Sequence, residues 1–290
     1  MTSQQSGYIF AILAVMVFAS QDAISKHLAE NYHPIMITFV RYWAFATFAL
    51  AIAARAPGGI RSSLRTKHPL LQVVRGLLLV SQIAIAMRSF ELAGLIKSQA
   101  IFAASPLLVA ALAVPLLGET VGWRRVLAIA AGLMGVLVIL SPTDGGFDRT
   151  LLLPIVNAVQ MAFYSIATRL VARDEQASTS FFYLGVVGLM AISCVGPFYL
   201  QPVEGFDWFW FAVICLTGVV SHYLLILAYE RLDATLIQPI NYFQLVWASM
   251  LGVTIFGEAL RWNVLAGSLI VVGAGLFTIW REAVRRRRPG

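Results

Sequence analysis

The chain has 290 residues, of which 59% are hydrophobic and only 12% charged, with a formal charge of +7. Soluble domains carry about 25% charged residues, so most of this chain cannot face water, and a soluble enzyme or binding module is excluded. The basic excess sits in short connections and in the C-terminal REAVRRRRPG run, which marks membrane topology and not nucleic-acid binding.

Ten apolar segments follow one another: 8–27, 34–54, 69–89, 94–117, 124–141, 150–171, 179–199, 208–229, 235–256 and 262–281. Each has the length and composition of a transmembrane helix. The expected architecture is therefore an all-α polytopic membrane protein, with lipid as its main surrounding and no inserted soluble domain. The first segment follows MTSQQSG, which lacks a basic region and a small-residue cleavage site. It is expected to be a retained helix, not a signal peptide.

Segment one carries Asp22 and closes at Lys26; segment two opens at Pro34 and carries Arg41. At about 1.5 Å of rise per residue, Asp22 and Arg41 lie roughly 8 to 10 Å from the same membrane face. They are expected to pair, sharing Lys26. That pair reads either as a static tie between helices or as an outer gate sensitive to protons.

Segment three carries Arg75 and Gln82. Arg75 lies about 9 Å in from the opposite face, where it either attracts substrate carboxylates or snorkels to the interface. Segment four carries Gln99 and Ser105, and segment five Gly132 and Gly135. Asn157, Gln160 and Tyr164 share one face of segment six, with Gln160 near mid-depth. His222 in segment eight reads as a packing residue or as a protonatable site. Gln238, Asn241 and Gln244 recur at steps of three in segment nine, followed by Trp247. Two polar faces at matching depth predict a substrate cavity; the alternative is hydrogen bonding that only joins helices. Gly267, Gly273 and Gly275 of segment ten, with the glycines of segment five, predict close helix packing, at a pseudo-symmetry axis or in a homodimer. Pro106, Pro154 and Pro239 are expected to kink their helices.

Counting Lys and Arg fixes an expected orientation. With the N-terminus cytoplasmic, fourteen fall inside, including Arg61, Lys67, Arg124 and Arg285 to Arg288, against Lys26, Arg88, Lys97, Arg149 and Arg261 outside. Both termini are then cytoplasmic.

LLGETVGW at 116–123 recurs as IFGEALRW at 255–262. Gly118, Glu119 and Trp123 return 139 positions later as Gly257, Glu258 and Trp262. The register extends upstream, with Glu91 on Glu230, Gln99 on Gln238, Ile101 on Ile240, Leu112 on Leu251 and Val114 on Val253. It carries segment four onto segment nine. That is a shift of five, an odd number, so the second copy is inverted. The expected units are 8–141 and 150–281, followed by a basic tail at 282–290. The glutamates read as parts of helical turns near helix N-termini, and the tryptophans as interfacial anchors.

PLLGETVGWRRVLAIAAGLMGVLVIL and TIFGEALRWNVLAGSLIVVGAGLFTI resemble the two repeat ends of the drug/metabolite transporter superfamily, EamA type. FASQDAISKHLAENYHPIMITFVRY is similar to the family's first two helices, with Lys26, Pro34 and Arg41 in the matching places. The resemblance covers about residues 8 to 282. It implies ten helices in two inverted halves in a bacterial cytoplasmic membrane, and secondary transport by alternating access, often efflux. Family substrates include amino acids, S-adenosylmethionine, nucleotides and cationic drugs; export of amino acids, aromatic ones included, is the expected activity. Phe18-Ala19 stand where many members have Trp-Gly, followed here by the polar Gln21-Asp22.

No Walker loop is present, so coupling is expected to run on protons or on the substrate gradient. His27, His33, His68 and His222 are scattered and no paired carboxylates occur within the segments, which argues against an intramembrane enzyme. Cys194 and Cys215 lie in apolar runs as ordinary buried thiols. No metal or cofactor is expected.

Overall fold

A computed structural model of the chain describes residues 3–117, 122–140, 148–171, 175–229, 231–232 and 234–286. A few side chains within those ranges, Gln238's among them, lie outside the described set. Gly118 and Glu119 of the first repeat motif also lie outside the described residues.

The described residues form helices and short turns. The helices are α1 (Ser3–Ala29), α2 (Pro34–Arg55), α3 (Gly59–Ser63), α4 (Pro69–Ala93), α5 (Leu95–Phe102), α6 (Ser105–Leu117), α7 (Trp123–Leu140), α8 (Leu152–Val171), α9 (Ala177–Ser193), α10 (Asp207–Tyr229), α11 (Ala234–Phe256) and α12 (Trp262–Arg286). Eight membrane-length apolar helices and two shorter ones, Val126–Leu140 and Ser178–Ser193, give the ten expected spans, with α5 and α6 together making the fourth. The short α3 was not expected. The last helix runs on to Arg286, into the segment read as a tail.

The fourth span breaks at Ala103–Ala104. Pro106 supplies no N–H for the helix, and its ring crowds the carbonyl of Phe102 one turn back. Capping bonds close the break instead, with Ala104 N–H donating to the Ile101 carbonyl (3.0 Å) and Leu107 N–H to the Ala104 carbonyl (3.0 Å). Pro154 falls in the first turns of α8, where it costs little. Pro239 does not end α11, which runs unbroken. Spans three and four are joined through Gly94 alone, at φ +87°, a conformation that glycine adopts without steric cost.

Helix pairing follows the two-fold of the repeats. α1 packs along α10 as α8 packs along α4, and α1 along α11 as α8 along α6. α4 meets α9 as α10 meets α2, while α2–α9 and α7–α12 pair each span with its own mate. The fold is thus two inverted five-span repeats.

Lipid is as apolar as Leu, so burial of apolar side chains does not by itself drive these helices together; close packing does. On α7 and α12, a Cβ at Gly135 would lie 2.9 Å from the Gly267 carbonyl, and one at Gly267 would lie 2.6 Å from the Gly135 carbonyl. The glycine stripe therefore meets itself within the chain; Gly273, by contrast, has open space beside it. Outward faces carry exposed Leu127, Met134, Leu137, Val246 and Leu269. Trp123 and Trp262, both exposed, stand at the first residue of α7 and α12, where interfacial tryptophans belong.

Candidate translocation site

Asp22 lies seven residues before the end of α1, among partners from both repeats. Its Oδ2 accepts hydrogen bonds from Gln99 Nε2 of α5 (2.7 Å) and Gln244 Nε2 of α11 (2.9 Å). One turn further along, Trp247 Nε1 donates to Ser20 Oγ (3.1 Å). Spans four and nine are mates in the inverted repeat, so equivalent elements converge on one carboxyl of span one. Two amide donors supply part of what such a group loses on leaving water.

The expected Asp22–Arg41–Lys26 pair takes another form. Arg41 interacts electrostatically with Asp22 across the α1–α2 gap, but no ion pair joins them. Lys26 turns away from both and pairs with Glu258. The Glu258 carboxylate also accepts Leu95 N–H (2.7 Å) and Ile96 N–H (2.9 Å), the first free donors of α5. A helix N-terminus presents such donors with a partial positive charge. Gly94 allows the approach, since a Cβ there would sit 3.1 Å from Glu258 Oε2. Glu258 was read as part of a turn; it joins the second repeat to two spans of the first.

Nearby loops at this end are also tied. Tyr32 donates to Asp207 Oδ2 (2.8 Å) and accepts Glu204 N–H (3.0 Å). Burial raises its phenol above the ordinary value, and Asp207 adds to the effect.

The remaining candidates do not form one network. Gln160 Nε2 donates to Ser81 Oγ (3.2 Å), linking α8 to α4. Ser105 starts α6 just beyond the break and makes no bond to its mate Gln244. Asn241 is exposed and joins neither. Gln82 and Tyr164 are half-buried, and Asn157 is buried. His222 Nδ1 contacts the Gly218 carbonyl (2.7 Å), and its ring packs against Phe18 and Phe45, each with centroids 5.2 Å away. The buried oxygens with no hydrogen-bond partner include Gln21 Oε1, Tyr42 Oη, Gln82 Oε1, Asn157 Oδ1 and Gln160 Oε1. Such groups are costly in lipid-surrounded protein. Their side chains also carry donors, so the interior keeps hydrogen-bonding capacity that a polar solute could use.

Arg75 does not snorkel. It is 2% exposed and lies among α4, α8 and α9. Nε donates to Thr168 Oγ1 (3.1 Å), while Nη1 donates to Gln72 Oε1 (2.7 Å) and Ser180 Oγ (3.3 Å). Its guanidinium stacks over Tyr164 at 5.8 Å. Sequence reasoning passed over Ser20, Gln72, Thr168 and Ser180, since single polar residues in apolar runs have no periodic signature. Two apolar grooves, between α7 and α12 and along α2, α4 and α9, lie on the outer faces; of the polar groups above they reach only Ser81. Among the described residues no group of three His, Cys, Asp or Glu side chains is placed to hold a metal.

The EamA-like transporter family profile matches residues 5–141 and 149–280. An S-adenosylmethionine uptake transporter of Rickettsia felis is 25% identical over 278 residues, covering 96% of this chain and 93% of the relative. A riboflavin transporter of Rhizobium johnstonii is 26% identical over 290 residues, covering 98% and 94%. A pseudopaline exporter of Pseudomonas aeruginosa is 23% identical, covering 99% and 98%. A protein of known crystal structure, 20% identical, shares the fold with a TM-score of 0.61 over 99% of each chain.

Proposed function

Because the chain belongs to the EamA-like transporter family, we propose that it carries zwitterionic metabolites bearing an amino-acid group across the bacterial cytoplasmic membrane, by alternating access. Its relatives are small-metabolite transporters by name. The finer reading rests on one observation: Asp22 is held by amides from both repeats, in an interior with unpartnered polar groups. An ammonium or sulfonium brings positive charge to the Asp22 carboxyl, and an ammonium adds N–H donors to it. S-adenosylmethionine and free amino acids, aromatic ones included, share that chemistry.

Asp22, Gln99 and Gln244 receive the cationic head, with Gln160, Asn157 and Gln82 facing the same passage. The Glu258–Lys26 contact holds one end closed, and its rupture opens that end as the repeats rock. Lys and Arg placement supports a cytoplasmic position for both termini, with that end outside. The relatives' names include both uptake and export, so direction follows the driving gradient, with protons competing for Asp22 as one means of coupling. The protein carries no catalytic step in this reading.

The test is counterflow in proteoliposomes, with labelled S-adenosylmethionine and pooled amino acids, with and without a pH gradient. Counterflow of either class, lost in Asp22→Asn and competed by the other class, is expected. A folded protein that exchanges neither, or an Asp22→Asn variant that exchanges at the parent rate, would refute the reading.

A further inference from the structure

Arg75 carries a full charge inside the helix bundle, and among the described residues no carboxylate pairs with it. All its hydrogen-bond acceptors are neutral: Gln72 Oε1, Thr168 Oγ1 and Ser180 Oγ. A buried charge without a counter-charge is costly, and the cost is greater in a bilayer than in a soluble core. Donors are left over on the same spot. Nη2 has no acceptor among the described residues. Gln72, 0% exposed, uses its oxygen on Arg75, which leaves its buried Nε2 without a partner. The Thr168 and Ser180 hydroxyls accept from Arg75 and donate to no described acceptor, so their hydrogens also remain available.

We propose that Arg75, Gln72, Thr168 and Ser180 form a binding site for a monovalent anion between α4, α8 and α9. A guanidinium with adjacent amide and hydroxyl donors matches a carboxylate or a halide. The anion has two sources: the carboxylate of the carried solute, or a resident inorganic ion. Only the carboxylate source rests on the substrate reading above; the site itself does not.

The experiment uses the full chain in nanodiscs, with melting followed by tryptophan fluorescence in sodium methanesulfonate, whose anion is neither a carboxylate nor a halide. Sodium chloride or sodium acetate is then titrated at constant ionic strength. The parent protein is expected to gain a saturable upward shift in melting temperature with at least one of these anions. Arg75→Gln is expected to lose it. Gln72→Glu places a carboxylate against Arg75 and stands in for the anion; it is expected to fold, to melt higher than the parent in methanesulfonate, and to show no anion response. Arg75→Lys keeps the charge without the planar fork, so the midpoint is expected to move roughly tenfold to higher anion concentration. That variant and Gln72→Glu keep the test sound if Arg75→Gln fails to fold. A solute carboxylate is indicated if zwitterionic solute competes with the chloride shift and its decarboxylated amine does not. A resident ion is indicated if counterflow needs chloride for both. A parent protein indifferent to both anions, or a response intact in Gln72→Glu, overturns the proposal whatever the transport assay shows.

Discussion

Replacing Glu258 with Ala removes three interactions at once. The Leu95 and Ile96 N–H groups lose a charged acceptor, worth about 1.5–3 kcal/mol for each such bond. Lys26, only 8% exposed, is left as an unpaired buried charge, for which about 3–5 kcal/mol is typical. These terms share one carboxylate and do not add in full. A net loss of about 3–5 kcal/mol from the closed form is expected, which is roughly a hundred- to several-thousandfold in the closed-to-open ratio. Ser98, fully buried one turn inside the contact, reports on that ratio. Ser98→Cys, in a background where Cys194 and Cys215 are Ala, is labelled with a hydrophilic maleimide in nanodiscs. The parent background should label slowly, and Glu258→Ala some hundredfold faster. Lys26→Met should accelerate labelling by less, because the N–H groups keep their acceptor. The double variant should be no faster than Glu258→Ala. Equal labelling of parent and Glu258→Ala, with both folded, would show that this contact does not hold the end closed.

Asp22→Asn keeps a side chain of the same shape and removes the charge; counterflow should fall about ten- to a hundredfold while the melting temperature changes little. Gln99→Leu and Gln244→Leu should each weaken solute competition in the same assay, as each removes one donor to Asp22. Gly267→Leu forces a side chain against the Gly135 carbonyl, and overpacking of at least 1–3 kcal/mol should lower the melting temperature in nanodiscs. Asp148 is depressed below its ordinary 3.8 by the Thr150 hydroxyl, with the Thr150 N–H and Lys97 assisting. A depressed carboxyl contributes stability above its unfolded value and loses it as pH falls through the folded one. The stability advantage over Asp148→Asn, under about 1 kcal/mol at so exposed a site, should therefore be present at neutral pH and be lost as the pH falls below the ordinary 3.8 of the group.

Which spans exist was legible from composition because lipid imposes a one-dimensional rule: every crossing needs a run of apolar residues long enough to span. The odd shift of the 139-residue register also made the inversion legible, since topology follows from counting crossings. The break at Ala103–Ala104 was half visible, in Pro106, while the equally suspect Pro239 sits in an unbroken helix. A proline's effect depends on whether neighbouring helices tolerate the bend, and the local sequence does not contain those neighbours.

The polar groups divide in the same way. Asp22, Gln99 and Gln244 stood out as polar residues in apolar runs, and depth along a helix follows from rise per residue. Their partners did not follow, because matching depth says nothing of azimuth. Asp22 and Arg41 were expected to lie level, yet the carboxyl turns to amides on α5 and α11, and Lys26, four residues along the same helix, reaches Glu258 instead. The burial of Arg75 was not foreseen, since snorkelling or burial depends on whether other helices cover it. Residue type and order determine crossings, repeat and inversion, which are properties of position along the chain. Partner choice is a property of rotation about each helix axis, and it is settled only when the ten spans pack.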